Sequence, residues 1–226
     1  MILALGDSFT YGLELPDCPL FKGQITNPSP SKFSYPAILA QILGKDLLNL
    51  SLPGGSNSRI FRLAIDATSK QKFDIVICGW TELSRIDVTL NGCDFPVSVN
   101  SAWQESHPWI GSYYKNHYDE DHAMQTWLAQ VIALQGYFKS INQRYLFLNM
   151  LPAIPSALVP TEIANPKFLH LAKQIDTDYF IGWPNEAMVQ WMGDCPKGPN
   201  GHPLEVGHER IAEKINEHIR NLGWLS

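Results

Sequence analysis

The sequence predicts an α/β fold built on a central parallel sheet, and three observations carry this prediction. Short apolar runs bounded by Gly, Pro or Asp alternate along the chain with segments of helical periodicity, as successive strand–helix units do. The first apolar run ends abruptly on Gly6-Asp7-Ser8, and the loops at strand ends are where α/β proteins place reactive groups. The 226 residues, 45% hydrophobic and 17% charged, are enough to bury a sizeable core without metals or disulfides, so a single domain spanning 1–226 is expected.

The elements follow in order. Ile2 to Leu5 is the first strand. The segment from Tyr35 to Gly44 opens with Pro36 and closes with Gly44, and Tyr35, Ile38, Leu39, Ile42 and Leu43 recur at the spacing of a packed helix. Leu47 to Leu50 is the second strand. Ser56 to Ser69 is a helix with Ile60, Leu63, Ala64 and Ala67 on one face, and it leads into a strand from Asp74 to Cys78. A long helix covers Met124 to Ile141, and Tyr145 to Asn149 is the fourth strand. The last helix carries Ile211, Ala212, Ile215 and Ile219 on one face. Pro203 suits its first position, which leaves His202 at the junction of loop and helix.

Between Arg85 and Asp121 periodicity is lost and aromatic residues accumulate: Trp103, His107, Trp109, Tyr113, Tyr114 and Tyr118. Loops of this length are functional or disordered, and the aromatic content argues against disorder. An insertion at about 86–121 is therefore expected to roof a site, with Trp103 and Trp109 as the substrate-stacking residues. The segment 177–192, with Trp183 and Trp191, would form a second wall. Arg85 and Glu82 read as a surface ion pair.

Ser8 is the candidate nucleophile. Asp and Ser after a strand also serve as turn residues and helix caps, so Gly-Asp-Ser by itself is weak evidence. A serine hydroxyl attacks only when a base takes its proton and donors stabilise the oxyanion. His202, in Gly201-His202-Pro203, is the candidate base.

Four blocks together resemble the SGNH, or GDSL, hydrolase superfamily of esterases and lipases: Gly6-Asp7-Ser8-Phe9-Thr10-Tyr11-Gly12, the segment from Asn49 to Asn57, Ile77-Cys78-Gly79-Trp80-Thr81-Glu82, and His202-Pro203 followed by Gly207-His208. The resemblance implies a three-layer α/β/α sandwich with a flavodoxin-like sheet and Ser8 as nucleophile. It implies an oxyanion hole made by the N–H groups of Ser8 and Gly54, with Gly55 as the alternative register. Thr81 stands where the family has an asparagine donor. A threonine hydroxyl donates one hydrogen bond at shorter reach, and losing such a donor costs roughly 2.7–4 kcal/mol of transition-state stabilisation. Thr81 is expected to substitute for it. Pro199 stands where the family's Asp-x-x-His-Pro pattern has its acid, so the group that orients His202 has three candidates. Asp194 ranks first, ahead of Glu205 and a main-chain oxygen. The Gly-Trp-Thr variant also looks like SGNH members encoded by bacteriophages.

The implied activity is hydrolysis of a carboxylic ester through an acyl-enzyme on Ser8, on an acylated small molecule or carbohydrate such as an O-acetylated sugar. The competing expectation is a catalytically idle scaffold that binds carbohydrate or serves as a virion structural module. An acyltransferase acting on sugars would use the same serine and histidine.

The remaining composition excludes other classes. The formal net charge is −5 and no basic run exists, which argues against a nucleic-acid partner. Cys18, Cys78, Cys93 and Cys195 form no C-x-x-C pair and read as free thiols. His208 has no companion ligands at zinc-like spacing and reads as a helix histidine bonded to backbone, so neither a catalytic metal nor a cofactor is expected. No apolar stretch approaches a membrane span and the chain opens with a strand where a signal peptide would stand, so a soluble protein, cytoplasmic or virion-associated, is expected.

Overall fold

The computed structural model describes residues 1–21, 24–25, 27–90, 93–98, 107–150 and 166–224. The first half contains β1 (Ile2–Leu5), α1 (Ser8–Tyr11), β2 (Leu20–Phe21), β3 (Gln24–Ile25), α2 (Tyr35–Ile42), β4 (Leu47–Asn49), α3 (Asn57–Lys70), β5 (Ile75–Trp80), β6 (Ile86–Leu90) and β7 (Cys93–Val97). The second contains α4 (Pro108–Asn116), α5 (Glu120–Ser140), β8 (Tyr145–Asn149), α6 (Pro166–Ala172), β9 (Phe180–Ile181), α7 (Met188–Trp191) and α8 (Glu205–Asn221).

The central sheet has five strands in the order β4-β1-β5-β8-β9, and every pairing is parallel. This is the doubly wound, flavodoxin-like order, in which connections diverge to opposite faces between β1 and β5. Strand alternation explains the two layers of helices. Ile2, Ile75, Ile77, Leu146 and Leu148 face α2 and α8, where Tyr35, Leu39, Ile211, Ile215 and Ile219 are buried. Leu3, Leu5, Val76, Cys78, Tyr145 and Phe147 face α3 and α5, where Ile60, Ala64, Trp127, Val131 and Phe138 are buried. A sheet covered on both faces requires such near-continuous apolar strands.

Four differences from the sequence expectations have local causes. The long helix starts at Glu120 because Asp119 caps it, accepting a hydrogen bond from the His122 N–H. The last helix starts at Glu205 with Leu204 as its cap, so Pro203 lies before the helix and bridges Lys197 instead. Strand β9 is two residues long, too short for periodicity to reveal. Among the described residues of 86–121, the antiparallel β6–β7 pair and α4 stand where no periodicity was expected, and Trp103 lies outside the described residues.

His208 joins the two helices of one layer. Tyr35 is the first residue of α2, the Ser34 cap offers it no side-chain bond, and Pro36 follows, so the Tyr35 N–H is an unpaired helix-start donor. His208 Nδ1 accepts that N–H at 3.1 Å, and its ring stacks on Tyr35 with centroids 6.3 Å apart. Accepting at Nδ1 places the proton of the neutral ring on Nε2. Burial, with a smaller push from His202 and against the Pro203 carbonyl, lowers the His208 pKa to about 3. The folded protein therefore holds His208 neutral while the unfolded chain takes up a proton below about pH 6.5. This contribution to stability is complete above the unfolded value and is lost as pH falls towards the folded one. Chemical denaturation should show His208→Asn with a shallower acid limb than wild type between pH 6 and pH 4, the slopes differing by up to about 1.4 kcal/mol per pH unit.

Candidate functional site

Strand β1 is buried throughout and delivers Gly6, Asp7 and Ser8 to the carboxyl edge of the sheet at the switch point. Asp7 caps α1, its Oδ1 accepting the Phe9 N–H at 3.0 Å, and Gly12, in the left-handed conformation, ends the helix after one turn. Ser8 occupies the first helical position with 7% of its surface exposed. Among the described residues its hydroxyl makes no hydrogen bond.

The carboxylate that meets His202 is Glu14. Its Oε2 lies 2.8 Å from His202 Nδ1, and the pair is largely buried, at 4% and 15% side-chain exposure. The His202 loop is built to receive it. Pro196 to Leu204 folds back on itself: Lys197 bridges Pro203, Gly198 N–H bonds the His202 carbonyl, and Gly201 N–H bonds the Gly198 carbonyl at 2.9 Å. Pro199 and Asn200 are the corner of that turn, so the position where the family pattern has an acid is used to make the bend. A Cβ on Gly198 would stand 2.7 Å from the Glu14 carboxyl carbon, so only glycine permits this approach. The Asn200 N–H, the Asn200 side-chain amide at 2.8 Å and the His202 N–H also donate to Glu14. Burial pushes the Glu14 carboxyl up, but the hydrogen bonds from His202 and Asn200 outweigh it and hold the group below its ordinary value. Glu14 itself adopts φ 70°, a conformation that residues other than glycine take at a cost.

Asp194 is elsewhere. Its side chain is 97% exposed and pairs with Arg210 at 3.1 Å, because the reversal of the loop begins only after it and carries His202 the other way. The expectation that Asp194 meets His202 is corrected: the carboxylate in contact with the imidazole is Glu14. The available signal was a lone carboxylate between two buried leucines, Leu13 and Leu15, six residues after Ser8. The imidazole also packs edge-on against Phe9, the neighbour of Ser8, with ring centroids 5.8 Å apart. With Nδ1 engaged, Nε2 is the ring nitrogen that has no partner among the described residues.

Gly54 lies in a turn closed by a 2.8 Å bond from the Gly55 N–H to the Leu52 carbonyl. Pro53 and Gly54, at φ 77°, are the central residues of a type II turn, which requires a positive φ at its second corner. Leu52 N–H bonds the Gly6 carbonyl at 3.1 Å, which hangs this turn directly beside the end of β1.

Thr81 is fully buried and each of its polar groups is engaged. Asn57 bonds both its N–H, at 2.8 Å, and its carbonyl, at 3.1 Å, while the hydroxyl donates to Asp7 Oδ2 at 2.8 Å. A hydroxyl has one proton, so in this arrangement Thr81 has none to offer an oxyanion, and that expectation is corrected. Arg85 joins the same cluster. Its guanidinium, 14% exposed, donates to Asp7 Oδ2 at 2.7 Å and to Glu82 at 3.3 Å, so the expected surface pair is anchored on a wholly buried carboxylate. Trp109 is 39% exposed on α4, with its ring edge-on to His107.

The family model described as a family of unknown function, DUF6071, matches residues 28–226, starting beyond Ser8 and Glu14. No curated protein matches the chain. Among solved structures, the chain is similar to a family two carbohydrate esterase from Clostridium thermocellum in complex with cellohexaose, with a TM-score of 0.57 and 15% identity. That match covers 99% of this chain and 65% of the other, so the chain spans a little under two thirds of that relative. It is similar to TesA, with a TM-score of 0.55, 12% identity and 98% of both chains covered. The psychrotrophic esterase EstA from Pseudoalteromonas sp. gives a TM-score of 0.52 and 14% identity over 98% of this chain and 97% of that one. None of these descriptions points to a bacteriophage source. Identities this low establish the fold alone. The chain therefore belongs to the family of unknown function DUF6071 and is built on the fold of the SGNH hydrolases.

Proposed function

We propose that the protein is a serine hydrolase acting on carboxylic esters. The observation that carries this is the Glu14–His202 pair at 2.8 Å, with the imidazole packed against the residue that follows Ser8. Ser8 Oγ attacks the ester carbonyl carbon as His202 Nε2 takes its proton. The tetrahedral intermediate expels the alcohol, which receives that proton, and leaves an acyl group on Ser8. Water then attacks the acyl carbon, again giving its proton to His202, and the carboxylic acid leaves as Ser8 Oγ is reprotonated. Glu14 holds the imidazole tautomer and stabilises the imidazolium. The N–H groups of Ser8 and Gly54 are the oxyanion donors in this scheme. The carbohydrate esterases among the structural neighbours favour an acylated carbohydrate as substrate.

One observation favours a second reading, a scaffold that binds carbohydrate without cleaving it: the Thr81 hydroxyl is engaged by Asp7. Hydrolysis of p-nitrophenyl acetate and acetate release from acetylated sugars separate the two. Turnover abolished by Ser8→Ala is expected, and wild type that is no faster than Ser8→Ala would leave only the binding role. Glu14→Gln should lower kcat by about 10³- to 10⁴-fold, the scale seen when the tautomer-holding carboxylate of such a triad is neutralised. Asp194→Asn, on an exposed side chain remote from the imidazole, should stay within about twofold of wild type in the same assay.

A further inference from the structure

A cavity of about 180 Å³ lies between α3, α4 and α5, and it shares Asn57 and Arg85 with the network around Ser8. Asn57 and Arg85, which hold Thr81 and Asp7, form its inner wall, and Tyr113, Tyr118, His117 and His122 form its outer wall. We propose that this cavity is a subsite for one neutral, hydroxyl-bearing ring, a sugar residue that carries or adjoins the ester, an assignment that rests on the ester-hydrolase reading.

Size, charge and unused hydrogen-bonding groups each point there. The volume is below the roughly 300–1,000 Å³ of sites for drug-sized ligands, and so admits a single ring. Arg85 is matched by Asp7 and Glu82, and Asp119 also lines the cavity, so no surplus positive charge awaits an anion. The aromatic residues divide by role. Tyr114 is structural, its hydroxyl donating to the Ser84 carbonyl at 2.6 Å and tying α4 to the segment before β6. The hydroxyls of Tyr113 and Tyr118 and the rings of His117 and His122 make no hydrogen bond among the described residues. Burial and the nearby Glu120, Tyr113, Asp119 and Glu82 push the Tyr118 hydroxyl up, so it remains a donor at neutral pH. Trp127 also lines the cavity and is 1% exposed. A polyhydroxylated ring offers both acceptors and donors to these groups, and its C–H faces stack on tyrosine.

The test uses the whole protein with Tyr113→Ala and the exposed His122→Ala as independent variants, each checked by circular dichroism. Two quantities are measured: the ratio of kcat/KM on acetylated xylobiose to that on p-nitrophenyl acetate, and the binding of unacetylated xylobiose to Ser8→Ala protein by saturation-transfer NMR. The ratio should fall about tenfold in each variant, through KM, and xylobiose binding should weaken by a similar factor when the same substitution is added to Ser8→Ala. An unchanged ratio with unchanged binding overturns the subsite while leaving the esterase reading intact. If wild type cleaves neither ester, the esterase reading fails and the NMR titration alone decides the cavity: saturable binding lost in Tyr113→Ala sustains a sugar site, and no binding overturns it.

Discussion

The Glu14 carboxylate ties the two ends of the chain into one site. Its two oxygens receive donors from the backbone and side chain of Asn200 and from the backbone and ring of His202. A buried carboxylate needs several donors to stay charged, and a loop without regular structure needs an anchor to hold an imidazole in one orientation. Each requirement satisfies the other. The left-handed backbone at Glu14 and the missing side chain at Gly198 are the local costs of bringing carboxylate and loop together.

A second buried carboxylate organises the opposite side of Ser8. Asp7 fixes the first turn of α1 through the Phe9 N–H and collects the Thr81 hydroxyl and the Arg85 guanidinium on its other oxygen. Breaking such a pair by removing one partner costs about 3–5 kcal/mol, because the remaining charge is left uncompensated. Arg85 is therefore part of the interior, and it carries the network from the Ser8 turn to the wall of the neighbouring cavity. Asn57 does the same from α3 by pairing with both backbone groups of Thr81. Thr81 thereby acts as a link between Asp7 and Asn57.

Both carboxylates sit where they do because the strand order places the ends of β1, β4 and β5 side by side. In a doubly wound sheet the connections leave on opposite faces at the switch point, which opens a crevice at the carboxyl ends of the strands. Ser8, Gly54 and Thr81 follow those three strands directly. Once α8 packs against α2, the loop preceding it crosses the same edge, and the His208 bond to Tyr35 keeps the two helices in register.

What the sequence determined by itself was whatever depends on neighbours in the chain. The strands β1 and β8, the body of each long helix, and the places of Ser8 and Gly54 after strands and of His202 before the last helix were legible, because apolar periodicity and turn chemistry are local signals. Two-residue β9 and the β6–β7 pair were not, since too few residues repeat to display a period. Only the tertiary structure decided the partners. Glu14 and His202 are 188 positions apart, and Asp7 and Arg85 are 78 apart. Asp194 was nearer His202 along the chain, but the loop turns back between them and directs its carboxylate to solvent. Which carboxylate reaches an imidazole depends on how the folded layers bring distant segments together, and no spacing within one segment encodes that.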